Sequence, residues 1–64
     1  MNWKKEKEYR ERRAQQIGAE MDLAIEMIDK DRFQKAFTTA MNYMTKKDRS
    51  EYYRRFLDRY RGRA

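Results

Sequence analysis

The chain has 64 residues, of which 44% are charged and only 39% are hydrophobic, and its net charge is +6. A chain this short is expected to form one small domain, residues 1–64, with a marginal core, because it buries only about 60% of its unfolded surface. The sequence contains neither Cys nor His, which excludes a disulfide framework and the usual thiolate and imidazole metal ligands. Self-association or a protein partner is therefore expected to add stability.

The distribution of apolar residues bears on the cellular location. No apolar run approaches the roughly 20 residues that a membrane span requires. The N-terminus also lacks the apolar segment of a secretory signal. The composition thus predicts a cytoplasmic protein without a membrane span.

The first predicted element is a long helix over about residues 3–28. Its charged start, residues 1–13, is expected to form a helical extension in which Glu6 and Arg10 are spaced as a supporting i, i+4 pair. Further along, Gly18 borders the apolar stripe and weakens the helix by roughly 1 kcal/mol relative to Ala. We interpret Gly18 as a position of close packing, with a functional bend as the alternative.

A second helix is predicted over about residues 31–45, and with the first it makes the organising unit of the chain, residues 17–44. In both halves apolar residues recur at intervals of three and four, which places them on one face of each helix. These residues are Ile17, Met21, Ala24, Ile25 and Ile28 in the first half and Phe33, Ala36, Phe37, Ala40, Met41 and Met44 in the second. The two faces are expected to cover each other.

The junction between these helices has two interpretations. Asp29 as N-cap gives a hydrophobic staple between Ile28 and Phe33, whereas Asp31 as N-cap gives a capping box with Gln34. Either connection is short, and a short connection makes the two helices antiparallel neighbours.

A third helix is predicted over about residues 49–61. Asp48 and Glu51 are spaced as a capping box at its start, and Gly62 is expected just past its end. No stretch shows the sustained alternation of a strand. The predicted fold is therefore all-α, an antiparallel hairpin plus a third helix that together form a small bundle.

Candidate catalytic residues are few. Ser50 is the only serine, and without His or Cys the common nucleophile and base pairs cannot form. The carboxylates between Glu20 and Asp31 lack the Gly and the terminal Glu of a calcium-binding loop, so we interpret them as solvated or capping groups. We expect no enzymatic activity, no metal, no cofactor and no small-molecule substrate.

Positive charge is concentrated at the two ends of the chain. Residues 1–14 carry six basic and three acidic side chains and residues 45–64 carry eight and three, whereas residues 15–44 carry three and five. Nucleic acid or another polyanion would therefore meet the ends. The candidate contacts are Lys4, Lys5, Arg12, Arg13, Arg54, Arg55, Arg59 and Arg61.

Aromatic residues and Met are more numerous than one small core needs, and these types are enriched at protein interfaces. Several of them lie off the main apolar stripes or on the broad aromatic face of the third helix. The candidate interface residues are Trp3, Tyr9, Leu23, Met27, Tyr43, Tyr52 and Tyr60. The alternative is that the central ones pack beneath the third helix.

The hairpin sequence from Met21 to Asp29, followed by Phe33, resembles the IDEAL domain, a short helical module of Firmicutes proteins. Asp22, Ala24, Asp29 and Phe33 fall in matching places, and Ile25 stands in place of Leu, whereas Met21 and Leu23 depart from the pentad that gives the domain its name. The resemblance covers roughly residues 17–44. It implies a small adaptor or regulatory module from a bacterium or a phage, and it carries over no catalytic residues.

Two functional hypotheses follow from these patterns. The first is a non-enzymatic helical protein that binds a protein partner, or another copy of itself, through an aromatic and Met-rich face. The second is a small nucleic-acid-binding protein that uses the arginine-rich third helix and the basic N-terminus. A membrane-surface role of the third helix is less favoured, because its aromatic face lacks the density of Leu and Phe that drives insertion.

Overall fold

The computed structural model describes residues 3–63, and it describes the side chains of residues 4–62. Three helices account for its regular structure: α1 spans Trp3–Met27, α2 spans Lys30–Ala40 and α3 spans Lys46–Arg63. The predicted all-α fold with three helices is confirmed. Between residues 3 and 63, none of these helices has both the length and the apolar composition needed to cross a membrane.

The helices run up, down and up. α2 packs antiparallel to α1, and α3 then lies parallel to α1. Tyr52, near the start of α3, lies against Gly18, and Arg55, about one turn later, reaches Asp22 one turn further along α1. The molecule measures 51 × 18 × 13 Å, and it is elongated because the first turns of α1 project beyond the other helices.

The core lies mainly between α1 and α2, and α3 contributes one large ring to it. Ile17 and Met21 are the largest side chains without exposed surface. Small residues, among them Ala24 on α1 and Ala40 on α2, are also fully buried, and they allow the two helices to approach closely. The core consists of Ile17, Met21, Ala24, Ile25, Phe33, Ala36, Ala40 and Phe56.

The connection between α1 and α2 consists of two residues, Ile28 and Asp29. The N–H of Ile28 donates to the carbonyl of Ile25 (3.1 Å) and the N–H of Asp29 donates to that of Ala24 (2.9 Å), which is the Schellman pattern of helix termination. The Asp29 side chain then accepts a hydrogen bond from the Arg32 N–H at 3.1 Å, so this residue ends α1 and caps α2. The structure agrees with Asp29, rather than Asp31, as the N-cap.

Ile28 adopts the left-handed conformation, with a φ of 54°. This conformation costs an L-residue roughly 1–2 kcal/mol, and the position normally takes Gly. We expect Ile28→Gly to be more stable than Ile28→Ala by about 1 kcal/mol, because both variants lose the side chain and only Gly relieves the strain. Urea unfolding followed by circular dichroism measures the difference. Equal stability, or the usual order in which Ala exceeds Gly within a helix, would show that the strain is not significant.

The second connection differs from the predicted boundaries. α2 ends at Ala40, five residues before the predicted end, and α3 begins at Lys46 rather than Arg49. Thr45 is the capping residue, since its hydroxyl accepts a hydrogen bond from the Asp48 N–H at 3.2 Å, so the predicted capping box of Asp48 and Glu51 is wrong. Gly62 lies within α3 instead of ending it.

The early end of α2 has a local cause. The hydroxyls of Thr38 and Thr39 donate to the carbonyls of Gln34 (2.9 Å) and Lys35 (3.2 Å), and this back-bonding weakens the final turn of a helix. Residues 41–44 continue as turns instead. The turns bring residue 43 under the N-terminal half of α1.

Candidate functional site

An open apolar groove of about 670 Å³ lies between α2 and α3, and none of the described α1 side chains, residues 4–27, lines it. We call it the aromatic groove. The α2 side consists of Lys30, Phe33, Gln34, Phe37, Thr38 and Met41, and the α3 side consists of Tyr53, Phe56, Leu57 and Tyr60.

Stacked rings build the floor of the aromatic groove. Phe33 and Phe56 lie 4.4 Å apart between ring centroids and only 10° from parallel, and both are buried. Phe37 and Tyr53 extend the cluster, with their centroids 5.7 Å apart. Leu57 lines the same face of α3 as Tyr53 and Tyr60, because residues at intervals of three and four share a helix face.

The walls of the groove remain open to solvent. Met41 is 58% exposed, Tyr53 49% and Tyr60 44%. Large apolar side chains that stay exposed next to one another are typical of an interaction surface. Since no described segment of the chain covers them, this groove is the candidate binding site.

The α3 edge of the aromatic groove is positively charged, and Lys30 adds a positive charge at one end of its α2 side. Among the side chains of residues 4–62, Lys30 is the only charged one that lines the groove. Arg54 and Arg61 lie three residues before and four residues after Leu57, which places them along the outer edge of the groove. The α3 carboxylates have other positions: Asp58, for example, lines a separate cleft between α1 and α3.

The predicted interface residues do not form one surface. Tyr9, Leu23 and Met27 are exposed at 56%, 46% and 53%, but they lie on α1 and away from the aromatic groove. Tyr60 is a wall of that groove. The side chain of Trp3 lies outside the described residues.

Tyr43 is half-buried beneath the N-terminal half of α1. The guanidinium carbons of Arg10 and Arg13 lie 5.2 and 5.6 Å from its ring centroid, close enough for cation–π attraction. Arg10 also donates a hydrogen bond to the Asn42 carbonyl. Arg10 therefore holds the turn after α2, and within residues 4–62 it makes no ion pair with Glu6.

Tyr52 packs inward against α1. A Cβ atom added to Gly18 would lie 2.8 Å from the Tyr52 hydroxyl oxygen, which confirms the interpretation of this Gly as a position of close packing. Burial raises the pKa of the Tyr52 hydroxyl, the Asp22 carboxylate raises it further, and the Arg55 guanidinium lowers it in part. Tyr52 therefore contributes to packing and is not a free contact residue.

The contact between Gly18 and Tyr52 predicts a non-additive pair of substitutions. In the Tyr52→Phe variant, Gly18→Ala should stabilise the protein by about 1 kcal/mol, the difference in helix propensity. In the wild-type background the gain should be lost, because the added methyl would meet the Tyr52 hydroxyl. A double-mutant cycle from urea unfolding measures the coupling, and additive effects would contradict the contact.

The candidate polyanion contacts are divided among three surfaces. Arg54 and Arg61 border the aromatic groove, and Lys4, Lys5 and Arg12 are exposed on the projecting turns of α1. Arg13 lies over Tyr43. Arg55 and Arg59 face carboxylates: they share the cleft between α1 and α3 with Asp22, Glu26 and Asp58.

The α3 basic residues nearest to α1 are therefore partly neutralised. Arg55 lies 3.0 Å from an Asp22 carboxylate oxygen and 5.4 Å from the centroid of the Tyr52 ring. By helical rise, Arg12 and Arg61 are also separated by about 20 Å along the bundle. The structure thus does not bring the eight residues into one basic surface.

Sequence reasoning missed most of the aromatic groove. The apolar face predicted for the second helix includes Phe33, Phe37 and Met41, and the first helix is predicted to cover that face. The informative signal was the width of that face: Ala36 and Ala40 are buried in the core, whereas Phe37 is only partly buried and Met41 is exposed. On α3, Tyr53 and Tyr60 lie seven residues apart, about two helical turns, and this spacing indicates that both line the opposite wall of the groove.

Comparison with protein-family models, with curated proteins and with solved structures gives no match to this chain.

Proposed function

We propose that the protein is a non-enzymatic helical interaction module that binds a protein partner, or a second copy of itself, in the aromatic groove. The observation that carries the proposal is the row of half-exposed aromatic side chains between α2 and α3. Two antiparallel helices that present apolar residues at intervals of three and four accept a third helix between them, as in helix-in-groove recognition. A helix bound there would complete a bundle of four.

The proposed role in the cell is that of a small adaptor or regulatory protein in the cytoplasm. The resemblance of residues 17–44 to the IDEAL domain favours this role, and so do the residue types in the groove, since Tyr, Phe and Met are enriched in the buried centres of interfaces. The positive rim would steer an acidic partner toward the groove.

Affinity capture with matched variants tests the proposal. Tyr53→Glu places a charge in the aromatic groove, whereas Tyr9→Glu makes the same change at a similarly exposed tyrosine on α1. We expect at least one protein from the cells of origin to be retained by the wild type and by Tyr9→Glu and lost with Tyr53→Glu, as read by mass spectrometry. The same set of captured proteins with all three baits would refute binding in the groove.

The alternative proposal is that the protein binds nucleic acid. It is supported by the projecting start of α1, where Lys4, Lys5 and Arg12 are exposed and an exposed tyrosine, Tyr9, lies one turn from Lys5 and from Arg12. Phosphate contacts weaken steeply with salt, so titration against single-stranded and duplex DNA and RNA at about 50 mM salt is the most sensitive test. Absence of binding there removes this alternative, and binding that survives replacement of all the basic candidates would contradict the assigned contacts.

A further inference from the structure

A second surface of the same chain complements the aromatic groove. Leu23 and Met27 are exposed one turn apart on α1, and Leu23 also lines the cleft between α1 and α2. Glu20 and Glu26 flank them on the two sides. Glu20 lines the cleft toward α2 together with Arg32 and Lys35, and Glu26 lines the cleft toward α3 together with Arg55 and Arg59. Among the described side chains, each cleft nevertheless holds three carboxylates and two basic groups, so the surface is acidic. We call Leu23, Met27, Glu20 and Glu26 the acidic strip.

The charges of the two surfaces are complementary. The aromatic groove has a positive rim and is about 16 Å long at 1.5 Å per residue from Lys30 to Met41, which accommodates roughly three helical turns. The acidic strip presents apolar side chains at an interval of four residues with a carboxylate on each side. Arg32, which reaches the sulfur of Met27 at 3.7 Å, has its charge partly offset by Asp29.

We infer that the occupant of the aromatic groove is the acidic strip of a second copy, so that the protein associates head to tail. This inference rests on the proposed function of the groove. Leu23 and Met27 of one copy contact the aromatic walls of the next, while Glu20 and Glu26 approach the basic rim. The two surfaces share no residue, so each copy binds two neighbours.

The alternative symmetric dimer, groove against groove, is disfavoured by charge. It would bring Lys30, Arg54 and Arg61 close to their own copies, and like charges opposed across an interface are repulsive. A contact between two different surfaces does not close on itself as a symmetric dimer does, and it extends into a chain or a ring. Because only a few helical turns meet, the contact is small, weak and dependent on concentration.

Sedimentation velocity over a range of concentrations tests the inference with three single variants. Tyr53→Glu disables the groove, Leu23→Glu disables the strip, and Tyr9→Glu changes an exposed residue outside both. We expect the wild type and Tyr9→Glu to associate beyond dimers as concentration rises. Each of the other two should remain monomeric, with the circular dichroism spectrum of the wild type as evidence of folding.

The decisive arm is an equimolar mixture of Tyr53→Glu and Leu23→Glu. One intact groove and one intact strip remain in it, so it should form a dimer of one copy of each and stop there. At about 1 M salt the Debye length is only about 3 Å. The attraction between the acidic strip and the basic rim is then screened, and the dissociation constant should rise several-fold.

A wild type that is monomeric throughout, or a mixture no more associated than its components, overturns the inference. If Tyr53→Glu still abolishes capture of another protein in that case, the proposed function of the groove stands and only its occupant is wrong.

Discussion

Replacing Phe56 with Ala should reduce the free energy of unfolding by about 3–5 kcal/mol, the range for truncating a buried phenylalanine. Phe56 is 5% exposed and, among the described side chains of α3, it is the only one in the buried core. Its ring stacks on Phe33 at 4.4 Å. The loss is large beside the roughly 3–10 kcal/mol expected for a domain of this size, so α3 should detach from the hairpin and the aromatic groove should be lost.

Urea unfolding and near-ultraviolet circular dichroism measure this effect. Phe56→Leu is the matched control, because it keeps an apolar side chain at the same position and should retain most of the stability. Leu57→Ala, at the neighbouring and only partly buried position in the groove, should reduce the free energy of unfolding by less than Phe56→Ala does. If Phe56→Ala unfolds at the same urea concentration as the wild type, α3 does not pack as the structure shows.

The second large effect is expected at Met21, which has no exposed surface. Met21→Ala should cost about 2–5 kcal/mol, because it removes apolar contacts and leaves a cavity between α1 and α2. The same substitution at Met27, which is 53% exposed on the same helix, should change stability by no more than about 0.5 kcal/mol.

Met21→Ala and Met27→Ala are the same substitution on the same helix, and the two positions differ in burial. Thermal and urea unfolding by circular dichroism provide the comparison. Similar losses in the two variants would mean that α1 does not turn the face containing Met21 toward α2. Met21→Leu, which conserves volume, should cost less than about 1.5 kcal/mol.

The helices and their packing partners were accessible from sequence because they depend on periodicity. Ile17, Met21 and Ala24 repeat at helical intervals and are buried, as predicted, against the apolar face of α2. For the connection between α1 and α2, the sequence leaves two candidate N-caps, Asp29 and Asp31, since both side chains can cap a helix. The strained Ile28 could not be foreseen, because a β-branched residue rarely adopts positive φ.

Other features depend on contacts between residues far apart in the chain. The back-bonds of Thr38 and Thr39 favour an early end of α2 locally, but the turn that follows is also held by Arg10 and by the packing of Tyr43, which local propensity does not indicate. Thr45 and Asp48 are both good N-caps, and the choice between them depends on where α2 ends. The aromatic groove also depends on distant contacts, since Tyr53 and Leu57 line a groove only when α3 packs beside α2.

The two-residue connection at Ile28 and Asp29 has a consequence for the order of folding. Closing so short a loop costs little entropy, so α1 and α2 are expected to associate first. The contact of Tyr52 with Gly18 joins residues 34 positions apart, and such contacts form late. The aromatic groove is thus assembled in the last step and opened in the first step of unfolding, so a bound helix would hold α3 in place by mass action.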